Sequence, residues 1–323
     1  MNRFIHIIGS QWRSKRLRTW RCLPGVLLVV LLPAFAVLAA EAPENSEEVQ
    51  EIILLHTNDL HFDFNYLDAV TDKIARFRAQ YDDVFLLDAG DFSNRESRWR
   101  DGMGPEEYAE QLTYTIDTMN ALDYQAATLG NHELGYFQTV TRDILRQAQF
   151  PILGANVTVD TENFDAPQPY TLLETSNGTS LAILGLCGGG YDNAEGITLE
   201  DAAETLDAYL YLREENEVFV LLTHIGYTAD IGLAGQYDEA IDVIVGGHTH
   251  TQVNPPGRWN GVLVAQTGGH PHNTDPERRQ YLGVVYLELR NGEVAVKEGE
   301  VLEFNASGHT QSQFLELQHV TSE

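Results

Sequence analysis

Residues 52–61 read IILLHTNDLH, an apolar run that ends in two side chains able to bind a metal, Asp59 and His61. The pattern recurs along the chain. VFLLDAGD (84–91) ends in Asp91, and AATLGNHE (126–133) in Asn131 and His132. VFVLLTH (218–224) ends in His224, and DVIVGGHTH (242–250) in His248 and His250. Near-continuous apolar runs of this length describe strands buried on both faces. In open α/β sheets the carboxyl ends of the strands carry the ligand site, so side chains far apart in sequence can converge there.

Working outward, SLAILGL (180–186), GVLVAQT (261–267) and YLGVVYLEL (281–289) complete the strand pattern. The last turns at Asn291-Gly292, a strong hairpin signal, and returns through EVAVKEGEVLEF (293–304). Helices are predicted over 67–80, 105–121, 138–148 and 199–214. The first puts Leu67, Val70, Ile74 and Phe77 on one face, and the second opens on Pro105 and two glutamates. Strands alternating with helices predict an α/β sandwich.

Singly the polar fragments are weak. A histidine at a strand end is usually solvated, Asp-x-His is common, and Asp91 alone would serve as a turn or helix cap. Five such fragments, all at strand ends, point to one centre. In Asp59-x-His61 and His248-x-His250 the residues are two apart, and in the locally extended backbone expected there that spacing turns both side chains to the same side. Mixed imidazole and carboxylate donors suit zinc, manganese or iron and disfavour calcium.

The first forty residues contain six basic and no acidic residues, followed by an apolar run to Ala40 and small residues at Val37, Ala39 and Ala40. That describes a secretory signal peptide over 1–40, an uncleaved anchor being the other reading. The expected order is then an acidic linker (41–50), one domain (51–304) and a C-terminal tail (305–323). Beyond the leader, 14 basic residues face 48 acidic ones, a net charge of about −34. Such a surface argues against nucleic-acid duplexes bound through a basic face, and an anionic substrate would need metal ions at its site. Of two cysteines, Cys22 falls in the leader, which leaves Cys187 without an intrachain disulfide partner.

The order DLH, GD, GNHE, H and GGHTH resembles the calcineurin-like metallophosphoesterase superfamily. ILLHTNDLH, FLLDAGD and TLGNHE are similar to the N-terminal catalytic domain of the 5′-nucleotidase family. The resemblance covers residues 52 to about 290 and implies a four-layer α/β/β/α sandwich holding two divalent metals. It implies Asp59, His61 and His250 on one metal, Asn131, His224 and His248 on the other, and Asp91 bridging them. It further implies a metal-bridging hydroxide as nucleophile, with His132 facing the substrate as phosphoryl stabiliser or leaving-group acid. Asp88 is expected to support the site without ligating.

Two departures qualify the resemblance. Gly135 stands where the family carries an aspartate that pairs with the catalytic histidine. Established members also carry a C-terminal domain that stacks a nucleoside base, and none is expected within these 323 residues, so nucleotide specificity does not follow from the resemblance. Residues 268–279, with His270, His272, Arg278 and Arg279, and the pair Asn94 and Arg95, are candidate substrate contacts, solvation being the plainer reading of the histidines. The expected function is an exported phosphoesterase acting on small phosphorylated substrates, nucleoside monophosphates first. The competing functions are a phosphodiesterase for cyclic nucleotides or nucleotide-sugars, a broad phosphomonoesterase, and a metal-containing binding protein weakened at Gly135.

Overall fold

The computed structural model describes residues 49–94, 104–135, 138–189, 194–238, 240–269 and 279–305. In chain order it runs β1 (Val49–Thr57), α1 (Leu67–Gln80), β2 (Val84–Asp88), α2 (Pro105–Ala121), β3 (Ala126–Thr128), α3 (Asn131–Gly135) and α4 (Gln138–Leu145). Then come β4 (Ile152–Leu153), β5 (Val157–Val159), β6 (Tyr170–Glu174), β7 (Ser180–Cys187), β8 (Ile197–Leu199), α5 (Ala202–Tyr209) and α6 (Tyr211–Glu215). The remainder is β9 (Val218–His224), α7 (Tyr227–Gln236), β10 (Val243–Val245), β11 (Gly257–Trp259), β12 (Val262–Ala265), β13 (Gln280–Arg290) and β14 (Glu293–Phe304).

Two six-stranded sheets result, ordered β14-β13-β1-β2-β3-β4 and β11-β12-β10-β9-β7-β6. In the first, β1 to β4 are parallel, with β13 and β14 added antiparallel at one edge. In the second, β7, β9, β10 and β12 are parallel, flanked by antiparallel β6 and β11.

The layering follows from strand alternation. On β1, Ile53 and Leu55 pack outward with Val70, Ile74 and Phe77 of α1 and Leu112 and Ile116 of α2. Ile52 and Leu54 point inward and meet Ile183, Val220, Leu222 and Val245 of the second sheet. The second sheet's outer face, including Phe219, Leu221 and Ile244, is covered by Leu206, Leu212 and Leu233 of α5, α6 and α7. Helices on both outer faces and sheet against sheet within make the expected α/β/β/α sandwich. The apolar character of the central strands is thus explained, because β1, β2, β7, β9, β10 and β12 each contribute to two cores.

Several local expectations change. The helix predicted over 199–214 is two, because Leu199 belongs to β8 and the chain breaks at Leu210. Asp201 caps α5 by accepting from the N–H groups of Ala203 and Glu204. β1 starts at Val49, so 49–50 of the expected linker are strand. Helix α7 had no sequence prediction; Gly232 and Gly235 dilute its pattern, and packing of Leu233 and Ala234 on the sheet overrides propensity. The Asn291-Gly292 hairpin forms as expected, with φ of 53° and 81°. The leader, the tail beyond residue 305 and the rest of the linker lie outside the described residues.

Leu222 lies wholly buried between the sheets. Leu222→Ala is expected to lower the unfolding free energy by about 2–5 kcal/mol, read from the urea midpoint at unchanged slope.

Candidate metal centre

Each sheet delivers its own share of the site. The ends of β1, β2 and β3 place Asp59, His61, Asp91, Asn131 and His132, and the ends of β9 and β10 place His224, His248 and His250. Backbone hydrogen bonds stitch the loops of the first sheet together, Asp59 N–H to Gly90 C=O (2.8 Å) and His61 N–H to Asp91 C=O (3.0 Å). Gly90 sits at φ 85°, where a Cβ would lie 2.8 Å from Gly130 N and from His224 Nδ1. Only glycine fits between these two layers.

The expectation of extended backbone at the paired ligands is overturned. Asp59 (φ 51°), His61 (47°), Asp91 (56°), His248 (77°) and His250 (51°) all adopt left-handed conformations. A strand's alternation carries side chains straight to its two faces, whereas these turn back over the strand ends. Each such residue costs about 1–2 kcal/mol, a strain that gathers at functional sites.

The side chains converge in three overlapping groups, Asp59–His61–His250, His61–Asp91–His132 and Asp91–His224–His248, each with donor atoms within 4.8 Å of one another. His61 Nδ1–H donates to Ser93 C=O (3.1 Å) and His224 Nδ1–H to Ala89 C=O (2.7 Å). Carbonyls only accept, so whenever either ring is neutral its Nε2 carries the lone pair. His61 Nε2 lies 3.1 Å from His250 Nε2, and His224 Nε2 3.1 Å from Asp91 Oδ2. Acceptors facing acceptors need a proton or a cation between them. Asp59 Oδ1 and Asn131 Oδ1 are buried without a hydrogen-bond partner, as donors reserved for a metal would be.

The electrostatics agree. Burial drives the His61 pKa down to about 4 and lowers that of His248, which favours the neutral, metal-binding imidazole. Burial would also lower His224, but the Asp91 and Asp59 carboxylates push it up to about 10. Burial raises Asp91, yet His224, His132 and His61 together drive it far below the usual carboxylate range. The His224–Asp91 pair holds a proton at a place a divalent cation would take. The donor set fits two neighbouring divalent metals.

Residues 52–252 match the family model described as calcineurin-like phosphoesterase. The chain belongs to this family. It is 30% identical over 246 residues to a trifunctional nucleotide phosphoesterase of Bacillus subtilis, covering 63% of this chain and 16% of that protein. A 5′-nucleotidase of Vibrio parahaemolyticus is 25% identical over 329 residues, covering 84% of this chain and 55% of the relative. The 5′-nucleotidase precursor of Thermus thermophilus superposes with a TM-score of 0.62 at 22% identity, over 84% of this chain and 58% of that one, and so shares its fold. The chain therefore spans about half the length of the two 5′-nucleotidases.

In this phosphoesterase domain His132 belongs to the middle of the three groups, with Nε2 3.7 Å from Asp91 Oδ2 and its ring edge-on to His61 at 4.7 Å. Its N–H donates to Asp91 Oδ1 (2.9 Å). Asp88 belongs to none of the metal-capable groups. It accepts from Thr57 Oγ1–H (2.6 Å) and Gly90 N–H (2.9 Å), holding the turn before Asp91. Asn94 donates to the His61 carbonyl (3.4 Å), and Arg279 pairs with Glu303 (3.2 Å). Arg95, His270, His272 and Arg278 lie outside the described residues.

Three supporting residues escaped the sequence reading. Glu133, inside the quoted GNHE, is fully buried and accepts from the N–H groups of Gly130 (2.7 Å), Asp91 (3.1 Å) and Ser93 (2.8 Å). Asn58, in the polar run Thr57-Asn58-Asp59, grips Asp59 (2.6 Å). Asp230, in the unpredicted α7, accepts from Thr223 Oγ1–H (2.6 Å) beside His224, and no local pattern marks it.

Glutamine at 133 has one acceptor oxygen in place of two, which leaves buried N–H groups unmatched. Glu133→Gln is expected to lose about 1–3 kcal/mol of stability by urea unfolding. Burial raises the Asp230 pKa from 3.8 to about 7. Its stabilising contribution is complete below the unfolded value and disappears as pH rises through the folded one. The urea midpoint of Asp230→Asn should therefore gain on the parent's as pH rises from about 4 to 7.

Proposed function

We propose that this chain is an exported, dinuclear-metal phosphoesterase acting on small phosphorylated substrates, nucleoside monophosphates first. The observation that carries the reading is the chain of three donor groups joined through His61 and Asp91. In this reading Asp59, His61 and His250 hold one divalent ion, Asn131, His224 and His248 the other, and Asp91 serves both. Manganese, zinc or iron there would acidify a water and offset the charge that builds on the phosphoryl oxygens.

The protein's own groups do the rest. Asp91 is kept anionic by the surrounding imidazoles. Its Oδ1 is held by the His132 N–H, which leaves Oδ2 turned toward the donor cluster. The His132 imidazole, at the edge of the cluster, donates to a phosphoryl oxygen or protonates the leaving alkoxide. The nucleotide preference draws support from the names of the relatives, a nucleotide phosphoesterase and a 5′-nucleotidase. Export rests on the basic and apolar leader. No helix among the described residues is long and apolar enough to cross a membrane.

The test is phosphate release by the purified chain, stripped with chelator and reloaded with manganese or zinc. AMP, a cyclic nucleotide, a nucleotide-sugar and p-nitrophenyl phosphate are the substrates. Turnover should vanish on chelation, return with metal and be absent in Asn131→Ala, with AMP preferred. A preference for the cyclic nucleotide or the sugar conjugate would make it a phosphodiesterase. No release from any substrate with two metals bound would overturn the hydrolase.

A further inference from the structure

We infer that Asn58 is a positioning residue that presents Asp59 to metal through a single oxygen and ties that presentation to the second sheet. The inference rests on the metallophosphoesterase reading of the site and concerns a side chain that the ligand set leaves out. Asn58 is buried, 1% exposed, at the end of β1. Its carbonyl Oδ1 accepts from Thr267 N–H (2.9 Å) and Thr267 Oγ1–H (2.6 Å), just beyond β12. A backbone N–H only donates, so the atom facing Thr267 is the oxygen and the NH₂ group faces the other way. It faces Asp59 and donates to Oδ2 at 2.6 Å.

The same oxygen of Asp59 accepts from His248 N–H (3.0 Å). Asp59 Oδ2 is thereby saturated by two donors. Oδ1 has no hydrogen-bond partner, is buried, and lies 3.3 Å from His250 Nε2 and 3.8 Å from His61 Nε2. A carboxylate free to rotate would offer either oxygen, or both. Here one is spent on the protein and the other is aimed at the imidazoles.

The amide also solves a charge problem. Asp88 and Glu133 are already buried beside Asp59 and Asp91, so a further charge at position 58 would add to the cost of the cluster. Asn58 supplies a donor without charge. Because Thr267 and His248 both belong to the second sheet's end of the site, the aim of Asp59 depends on how the two sheets register.

The test is titration of manganese into the metal-free chain, followed by calorimetry, for parent, Asn58→Leu, Asn58→Ala and Thr267→Val. Supporting groups of this kind change metal affinity by about 10–100-fold. Asn58→Leu and Asn58→Ala should weaken manganese binding by at least about tenfold. Thr267→Val keeps the backbone N–H that orients Asn58, so it should lower the melting temperature while affinity stays within about threefold of the parent. Circular dichroism establishes that each variant is folded, and the alanine variant decides if the leucine one does not fold. An Asn58 variant that is destabilised but binds manganese as the parent does would make Asn58 a structural tie and overturn the inference. A parent that binds no manganese would overturn the metal site itself. A parent that binds metal but hydrolyses nothing would overturn the proposed function and leave the role of Asn58 intact.

Discussion

One carboxylate holds the first sheet's half of the site in place. Glu133 draws the N–H groups of Gly130, Asp91 and Ser93 onto its two oxygens, so the loops after β2 and β3 close around one buried carboxyl group. Without those bonds the left-handed turn at Asp91 would expose unpaired backbone in a dry interior. With them Asp91 is fixed, the His132 N–H reaches its Oδ1, and Oδ2 points at His224. Burial and Asp91 together push the Glu133 pKa up to about 7, a sign of how much negative charge this region concentrates. Cations are the natural counterweight.

The strand–ligand pattern was legible because two physical demands coincide in it. A strand such as β9 is buried throughout, so it must be apolar, and its metal-capable side chain, His224, comes where the strand ends. Residues 218–224 and 84–91 carry both signals in a few letters. The support behind them was less legible. Asn58 and Glu133 stand inside quoted motifs, but their roles lie in bonds to Thr267, Gly130 and Ser93, which the fold alone brings near. Asp230 and α7 had no local signal, since packing against the second sheet makes that helix.

The backbone of the ligands was misread for an instructive reason. A spacing of two suits a strand, and Asp59 and His61 follow one directly. The chain has already left β1 at Thr57, however, and the left-handed turns at Asp59 and His61 bring both side chains to the same centre by another path. Asp91, His248 and His250 repeat the device at the other strand ends. Their strain persists because hydrogen bonds such as Asp59 N–H to Gly90 C=O over-determine these loops.

The division of the donors between two sheets also bears on how the chain acquires its site. His61 and His250 stand 189 residues apart, as do Asp59 and His248, and no shorter segment brings either pair together. Contacts of such high order form late, after the entropy of the intervening loop has been overcome. A half-folded chain with only the first sheet would present fragments of a donor set and hold metal weakly. The complete donor set exists only in the finished sandwich, so an ion that needed all of it would bind, and stabilise, only the chain in which both layers have met.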